Sequence, residues 1–360
     1  MKRRLFAFLS LACLSASMLE AAKGQYWTIK KAPSGEEVIT FEPWFIGPII
    51  APSAHVVPAG YCNVEPYLNY TITYAAYDKN WDSHDLKHNV YSFNPQPGGF
   101  QFGVTDWMEF QFNTQFFWNH TQDKSATRLG DTSIGFDFQI LRDQKDRWWP
   151  AIKIALKEGF PTGKFQRLNP HKLGLDGVGS GSFVTTFGLD FGRMFHCWGN
   201  HYLSTRLAFS YSIPARVHVH GYNSYGGGLG TNGFVHPGQS FNAVLGMEFN
   251  LTQNWVLACD FQNTYSAKTW FRGNPGVTKS GAPASVGAHS SDSVVMAPAI
   301  EYNWSEAIGC IGGVIFNLAG RNVGHSATVV FAVNYFGSTK RGDEKPIPYW
   351  IYPNAPLPTP

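Results

Sequence analysis

The stretch that decides the fold runs from Gly130 to Lys164 and reads GDTSIGFDFQILRDQKDRWWPAIKIALKEGFPTGK. Apolar residues alternate with small, polar or charged residues on both sides of a short charged connection. The apolar set is Ile134, Phe136, Phe138, Ile140, Ile152, Ile154 and Leu156, and the other set is Ser133, Gly135, Asp137, Gln139, Lys153, Ala155 and Lys157. Strict period-two alternation places the two sets on opposite faces of a strand. The stretch therefore predicts a β-hairpin with one fully apolar face, which suits a membrane hairpin as well as a soluble one.

The composition of the 360-residue chain favours a membrane barrel. Only 15% of the residues are charged and 16% are aromatic, whereas charged residues make up about 25% of typical soluble domains. No run of the ~20 apolar residues that a transmembrane helix needs follows the N-terminal region. A soluble β-sandwich or lectin-like fold is the alternative. The net charge of +3 is too small to indicate a nucleic-acid partner.

The two ends of the chain differ in composition from its middle. Residues 1–22 resemble a secretory signal peptide, because a positively charged start precedes a short apolar core and small residues. Residues 23–60 are rich in proline and lack periodicity, so they are interpreted as an irregular lead-in, with a lumen plug or a periplasmic arm as alternatives. Residues 61–337 carry the strand patterns. Residues 338–360 form a proline-rich tail.

The links between the strand-like runs are sorted by length. Besides the two strands of the hairpin, the predicted strands are 65–77, 89–103, 107–119, 182–193, 202–212, 241–251, 255–265, 293–303, 308–317 and 327–336. Links after even-numbered strands are short, and links after odd-numbered strands are mostly longer. Outer-membrane barrels have tight periplasmic turns and long external loops, whereas a Greek-key sandwich has no reason to sort its links in this way. The sequence therefore predicts an all-β fold: a transmembrane antiparallel up-and-down β-barrel of about 12 strands, with short periplasmic turns and long external loops.

If the apolar faces of these strands meet lipid, their polar faces point into the barrel. The sheet must close, because every N–H and C=O group in hydrocarbon has to pair internally. The candidate lumen-lining residues are Glu109, Asp137, Lys153, Lys157, Asp190, Arg206, Glu248, Asp260 and Glu301. Their mixed signs argue against strong ion selectivity. Such charges either line a water path or close a narrow lumen through salt bridges, and both alternatives stay open at this point.

Other chemical sites are weakly indicated. His218 and His220 are two residues apart in a long link and would bind a metal weakly, so histidines without a role are the favoured interpretation. The residues Cys62, Cys197, Cys259 and Cys310 are far apart, and no pairing is predicted. No Ser–His pair with an orienting Asn or Asp falls at matched height on adjacent strands, so an enzyme is not predicted and no cofactor is expected.

The order of several short segments resembles the "MetA-pathway of phenol degradation" family of outer-membrane proteins. The segments are Glu65-Pro66-Tyr67, Gly103-Val104-Thr105-Asp106, Gly130-Asp131-Thr132-Ser133-Ile134-Gly135, Pro161-Thr162-Gly163-Lys164 and the final aromatic strand. The resemblance covers about Ala59–Gly337. It implies a closed barrel in the outer membrane of Gram-negative bacteria and the passage of small molecules, with aromatic or hydrophobic ones among them.

Taken together, these observations predict a passive outer-membrane channel for small solutes. The alternative is a closed structural or adhesin-like surface barrel whose long loops bind a partner. The expected partners are outer-membrane lipid, small-molecule solutes and, during assembly, the barrel-insertion machinery.

Overall fold

The computed structural model describes residues 28–31, 37–40, 43–143 and 148–339, with side chains in the last two ranges. The predicted signal peptide and nearly all of the predicted proline-rich tail lie outside the described residues. A short antiparallel hairpin of β1 (Thr28–Lys31) and β2 (Glu37–Thr40) comes first. Within the described residues, no helix has the length and apolar character needed to cross a membrane.

Most of the chain forms one closed antiparallel barrel of 12 wall strands. The first four wall strands each consist of two segments: β3 (Tyr61–Val64) with β4 (Tyr67–Tyr77), β5 (Ser83–Gln96) with β6 (Phe100–Thr105), β7 (Met108–Asn113) with β8 (Phe116–Thr121), and β9 (Lys124–Leu129) with β10 (Thr132–Leu141). The others are β11 (Ala151–Phe160), β12 (Val184–Trp198), β13 (His201–Pro214), β16 (Ser240–Asn250), β17 (Trp255–Ser266), β19 (Ser291–Asn303), β20 (Ile308–Arg321) and β21 (Val323–Ser338). Three short strands lie in the outer links: β14 (Val217–His220), β15 (Asn232–His236) and β18 (Trp270–Asn274). The last wall strand, β21, pairs with β20 on one side and with β3 and β4 on the other, which closes the ring.

The breaks in the first four strands occur at one level of the wall. Pro66 and Pro97 have no N–H to donate to a ladder, so each interrupts the pairing of its strand. Gly99 allows the backbone at the break of the second wall strand to approach that of the first closely, because a Cβ atom there would lie 2.2 Å from the carbonyl oxygen of Glu65. On the side of this level that faces the outer links, the strands pair in the order β4–β5–β8–β9, and β9 pairs only with β8.

The outer surface of the barrel is apolar, as the alternation predicted. Exposed apolar side chains occur on most of the wall strands; they include Leu68, Phe112, Phe136, Ile154, Phe187, Leu207, Leu245, Leu257, Val314 and Phe331. Exposed tryptophans lie toward both ends: Trp107, Trp148, Trp149, Trp198 and Trp304 at the end with short turns, and Trp81, Trp118 and Trp270 toward the outer links. An apolar band bordered by aromatic residues is typical of a lipid-facing barrel wall.

The predicted fold class is confirmed, and the differences are local. Every predicted strand lies on an observed wall strand, including the two of the hairpin, with ends shifted by a few residues. The fourth wall strand begins earlier than predicted, because the segment Lys124–Leu129 pairs with β8 as a further strand. The outer links after the first, third and eleventh strands are short turns, whereas the links 161–183, 215–239 and 267–290 are long.

Candidate functional site: the interior of the barrel

The structure brings the predicted inward-facing charges onto the inner surface of the barrel. The completely or almost completely buried ones are Glu109, Asp137, Lys153, Asp190, Glu248, Asp260 and Glu301. Arg206 is half-buried, and Lys157 is exposed. Lys157 shares its face with Lys153 and lies opposite Gly135, so its exposure is to the space inside the barrel.

Lys153 is the centre of one buried charge cluster. Its Nζ atom lies 2.5 Å from Asp137 Oδ2, 3.4 Å from Glu109 Oε1 and 3.7 Å from Asp190 Oδ2. Gln111 donates to both Glu109 (2.9 Å) and Asp137 (2.8 Å). The four charged groups come from β7, β10, β11 and β12, so the cluster ties four successive wall strands together.

A second charge pair lies further around the wall. Arg206 Nη2 contacts Glu248 Oε2 at 3.0 Å, and Ser204 donates to the same oxygen at 3.1 Å. Arg206 Nη1 also donates to the carbonyl oxygen of Ala51 at 3.4 Å. Ala51 belongs to a segment that lies inside the half of the barrel nearer the short turns.

Residues 43–58, called here the inner segment, run around the inside of the wall. Their backbone N–H groups donate to buried wall carboxylates: Ile46 to Glu301 (3.2 Å), Ile50 and Ala51 to Asp260 (3.0 and 3.1 Å), and Val57 to Glu109 (2.6 Å). Val56 donates to Gln139, and Gln139 donates to the carbonyl oxygen of Ala54. Because the segment has no ladder of its own, the wall side chains take the place of neighbouring strands. The acidic residues therefore hold this segment as well as the two basic groups.

Inward-facing glycines make room for the inner segment. A Cβ atom on Gly246 would lie 2.5 Å from Ala51 Cβ, and one on Gly192 would lie 2.7 Å from Ala54 Cβ. On Gly103 it would lie 1.9 Å from the carbonyl oxygen of Pro58. Apolar side chains of the segment pack onto small wall residues, and Ala51 lies in a buried cluster with Ala208 and Val244.

The lumen on either side of the inner segment differs in character. Toward the short turns, a cavity of about 550 Å³ lies between the segment and the wall, lined by residues such as Trp44, His55, Gln139 and Arg206. Toward the outer links, the wall carries uncharged polar pairs. They are Thr71 with Thr328 (2.8 Å), Ser92 with Asn119 (2.7 Å), Thr186 with Ser212 (2.8 Å), Asn242 with Gln262 (2.7 Å) and Ser293 with Asn317 (3.0 Å). Lys157 is the exposed charge on this inner face among the predicted residues.

The long outer links fold together at the external end. Asp131 accepts hydrogen bonds from the N–H groups of Gly163 (2.9 Å) and Ser180 (2.7 Å). Lys164 pairs with the buried Asp176 at 2.9 Å. Burial alone would raise the pKa of Asp176, but the hydrogen bonds from Lys164 and from the N–H of Asn169 outweigh it and lower the pKa. Burial raises the pKa of Tyr225 to about 12, and the charge of Asp131 adds to this rise.

Reactive and metal-binding groups are sparse. The four cysteines of the described ranges are free thiols. In the same ranges no group of three or more His, Cys, Asp or Glu is arranged to hold a metal ion. His218 and His220 lie on one strand of an outer link, where His218 hydrogen-bonds to Asn232 (2.9 Å).

Sequence reasoning missed the contacts of the inner segment. Alternation predicts the inward charges, but it does not show that Glu109, Asp260 and Glu301 accept hydrogen bonds from backbone N–H groups of the inner segment, because a backbone donor has no residue type of its own. A usable signal was present in the alternation itself: glycines occupy inward positions on strands whose outward positions are bulky, as at Gly188, Gly192 and Gly246. A missing side chain on an inner surface indicates that something else fills the space.

Comparison with known proteins supports the fold. No protein-family model matches the chain, and no curated protein matches it. Among solved structures, the COG4313 outer membrane channel from Pseudomonas putida F1 superposes with a TM-score of 0.60 at 12% identity, covering 79% of this chain and 98% of the other. A mutant of the TodX monoaromatic hydrocarbon channel (12% identity, 79% and 91% coverage) and the NanC porin (8% identity, 74% and 98% coverage) give TM-scores of 0.36 and 0.34.

The closed ring, the apolar exterior and the exposed tryptophans toward the rims have one physical explanation, which is that lipid surrounds the wall. The chain is therefore an outer-membrane β-barrel that shares its fold with the COG4313 channel, and its place is the bacterial outer membrane.

Proposed function

We propose that the protein is a passive channel for small solutes across the outer membrane. The observation that carries the proposal is the inner wall between the inner segment and the outer links. Hydrogen-bonded pairs of hydroxyl and amide side chains line this part of the wall, and Lys157 is exposed to the enclosed space. A wall of this kind holds water, whereas a barrel filled for structural reasons would carry interlocking apolar side chains there. Movement through such a path follows the concentration gradient and needs no cofactor.

The solutes that suit this lumen are small and carry at least one polar group. The inner segment narrows the lower half of the barrel, and the cavity beside it has about 550 Å³, which is within the usual range for small-molecule sites. The resemblance to the phenol-degradation family suggests aromatic solutes. A phenol combines a flat apolar ring with one hydroxyl group, and that hydroxyl can exchange hydrogen bonds with successive polar pairs.

The competing function is a closed structural barrel. It is favoured by one observation, that the inner segment is anchored to the wall at Glu109, Asp260 and Glu301 and so obstructs the periplasmic half. Conductance distinguishes the two functions directly, because an obstructed barrel that inserts correctly carries no current.

The test uses purified full-length protein in planar bilayers, with reversal potentials measured in a salt gradient. We expect open-channel currents, and we expect Lys157→Glu to move the selectivity toward cations because the charge faces the conducting space. Lys79→Glu is the matched control, since Lys79 is exposed in the outer turn after the first wall strand. An absence of current despite insertion would reject the channel, and equal shifts in the two variants would show that the path does not pass Lys157.

A further inference from the structure

The three short strands of the outer links continue the barrel wall without a shift in register. Strand β14 follows wall strand β13, β15 precedes β16 and β18 follows β17, and the three short strands pair in the same order as those wall strands. Ser212 pairs with Ser240 in the wall, and five residues further along both strands Val217 pairs with Val235. The ladder of β16 with β17 passes into that of β15 with β18 in the same way. The sheet β14–β15–β18 is called here the raised sheet.

This register decides which side chains at the external end continue the lumen-facing side of the wall. Ser212 lies on the inner face, where it forms a polar pair with Thr186, and Ser240 and Ser266 follow it on the next two strands. Side chains an even number of residues further along the same strands lie on the same face. They are called here the basic face: Arg216, His218, Phe234, His236, Lys268, Trp270 and Arg272. The basic face therefore continues the lining of the lumen to the external mouth of the barrel.

The two faces of the raised sheet differ in their access to solvent. On the face opposite to the basic face, Val217, Val219 and Val235 are buried, and Phe165 and Val286 from the outer links pack against them. All seven side chains of the basic face are exposed. A solute that approaches from outside can therefore reach the basic face, whereas the valines are covered.

The cations of the basic face lie against aromatic rings. The guanidinium group of Arg216 lies 4.3 Å from the ring centre of Phe234, and the ammonium group of Lys268 lies 3.8 Å from the ring centre of Trp270. Arg272 lies opposite Phe234 on the next strand. A contact between a cation and a ring positions the side chain without using an acceptor oxygen, so the N–H groups of these residues keep the capacity to bind an anion.

The links that carry the basic face contain no acidic residue. The ranges 215–239 and 267–290 have no Asp or Glu, whereas they have four Lys or Arg residues and four histidines. The outer turns 78–88 and 122–124 mix Asp and Lys. Deeper in the lumen, the exposed charge among the predicted inward-facing residues is again a cation, Lys157. A positive potential at the mouth raises the local concentration of anionic solutes and excludes cationic ones.

We propose that the basic face is an external binding site for small aromatic carboxylates, which contact it before they enter the barrel. Arg216 and Arg272 offer planar donor sets that suit a carboxylate, and Lys268 adds a point charge. Trp270, which is 60% exposed, offers a flat apolar surface to the ring of the solute. The onward movement of the solute into the lumen rests on the proposed channel function, whereas its binding at the mouth does not.

The strength of the site follows from its exposure. An exposed ion pair changes an affinity by up to about fivefold, so the three cations together should favour a carboxylate over a neutral alcohol of the same shape by roughly tenfold. A solute that has the charge but no ring loses the contact with Trp270. The site therefore selects solutes that combine a negative charge with a ring.

The first test measures the binding of fluorinated probes to the purified full-length protein in neutral detergent. Fluorine NMR relaxation is recorded at neutral pH and at ~20 mM salt, where screening is weak, and binding to protein-free micelles is subtracted. The probes are 4-fluorobenzoate, its neutral analogue 4-fluorobenzyl alcohol, and trifluoroacetate, which has the charge without the ring. We expect the wild type to bind 4-fluorobenzoate about tenfold more tightly than either of the other probes. In the variant carrying Arg216→Gln, Lys268→Gln and Arg272→Gln we expect its affinity to fall to within threefold of that for the alcohol.

A matched control separates a local site from overall charge. The control variant carries Lys79→Gln, Lys87→Gln and Lys124→Gln, which remove the same charge from the outer turns 78–88 and 122–124, and it should keep the wild-type affinity for 4-fluorobenzoate. Faster migration of unboiled protein on gels verifies that both variants are folded. An equal loss in both variants, or equal affinities of the wild type for 4-fluorobenzoate and either of the other probes, would overturn the proposal.

Bilayer currents separate the binding site from the channel function. With benzoate on one side and chloride on the other, we expect the permeability ratio of benzoate to chloride to fall at least threefold in the variant of the basic face and to stay unchanged in the control variant. An unchanged ratio despite lost binding would overturn the role of the site in entry. Selective binding without any current would reject the channel and keep the site, and currents without selective binding would reject the site and keep the channel.

Discussion

Removal of the Asp260 carboxylate should release the middle of the inner segment. Asp260 is completely buried and accepts the N–H groups of Ile50 and Ala51 at 3.0 and 3.1 Å. Hydrogen bonds to a charged group contribute roughly 1.5–3 kcal/mol each, so Asp260→Ala removes about 3–6 kcal/mol of attachment. The loss is smaller to the extent that burying the carboxylate was itself costly.

This free energy corresponds to a large change in population. A loss of about 3–6 kcal/mol raises the detached fraction of the segment by roughly two to four orders of magnitude, since each 1.4 kcal/mol is a factor of ten. Glu301 and Glu109 still hold the two ends at Ile46 and Val57. The middle is then free to leave the wall while the barrel remains closed.

Amide hydrogen exchange resolved at Ile50 and Ala51 measures the release directly. We expect protection at these two amides to fall by the same orders of magnitude in Asp260→Ala, and the single-channel conductance to rise. Asp260→Asn should give a smaller effect because its amide oxygen still accepts one bond. Asp292→Ala is the control, since Asp292 pairs with Arg321 at 2.7 Å far from the segment. Unchanged protection in Asp260→Ala, or an equal loss in Asp292→Ala, would refute the reasoning.

The remaining predictions concern the packing, the buried charges and the outer links. Gly246→Ala should push the inner segment off the wall, because the new Cβ would lie 2.5 Å from that of Ala51; raised conductance with an intact barrel would verify it. Lys153→Met leaves three buried carboxylates without their cation, and urea unfolding in micelles should show a loss of roughly 3–5 kcal/mol; an unchanged midpoint contradicts this. Asp176→Asn should speed tryptic cleavage within 161–183 at neutral pH. Because the hydrogen bond from Lys164 lowers the folded-state pKa of Asp176, its stabilisation is present above the usual carboxyl pKa of 3.8 and is lost as pH falls through the folded-state pKa; pepsin should therefore cleave the wild-type link as readily as the variant's at the lowest pH.

The wall of the barrel could be predicted from the sequence because its physics is local. Each strand has to present apolar groups to lipid at every second position, and this requirement shows in the chain as period two. The run from Trp255 onward, for example, predicts a strand at 255–265, and the structure has a strand at Trp255–Ser266. The segments β4 to β9 are harder to predict from the sequence, because Pro66, Pro97 and the neighbouring glycines interrupt the alternation where the first four wall strands break into two segments each.

The outer links were predicted only by length. The pattern Val-His-Val-His at 217–220 has the period of a strand, and it is one: the valines are covered and His218 is exposed. It could not be assigned in advance because its partners, Asn232–His236 and Trp270–Asn274, are short and separated from it by glycine-rich chain. Pairing over such distances depends on which wall strands lie beneath, and that order is known only once the barrel has closed.

The interior shows how an imbalance in a sequence can point to an element without periodicity. Among the predicted inward-facing residues the acids outnumber the bases, and a buried carboxylate without a donor is too costly to keep. The backbone of the wall cannot supply the missing donors, because its N–H groups are used in the ladders. Further donors must come from chain that has no ladder, and before the wall strands the described residues 43–60 meet that condition. The N–H groups of Ile46, Ile50, Ala51 and Val57 are those donors. A surplus of inward acids in a barrel sequence, together with a proline-rich lead-in, therefore favours an inner segment over a lead-in that stays outside.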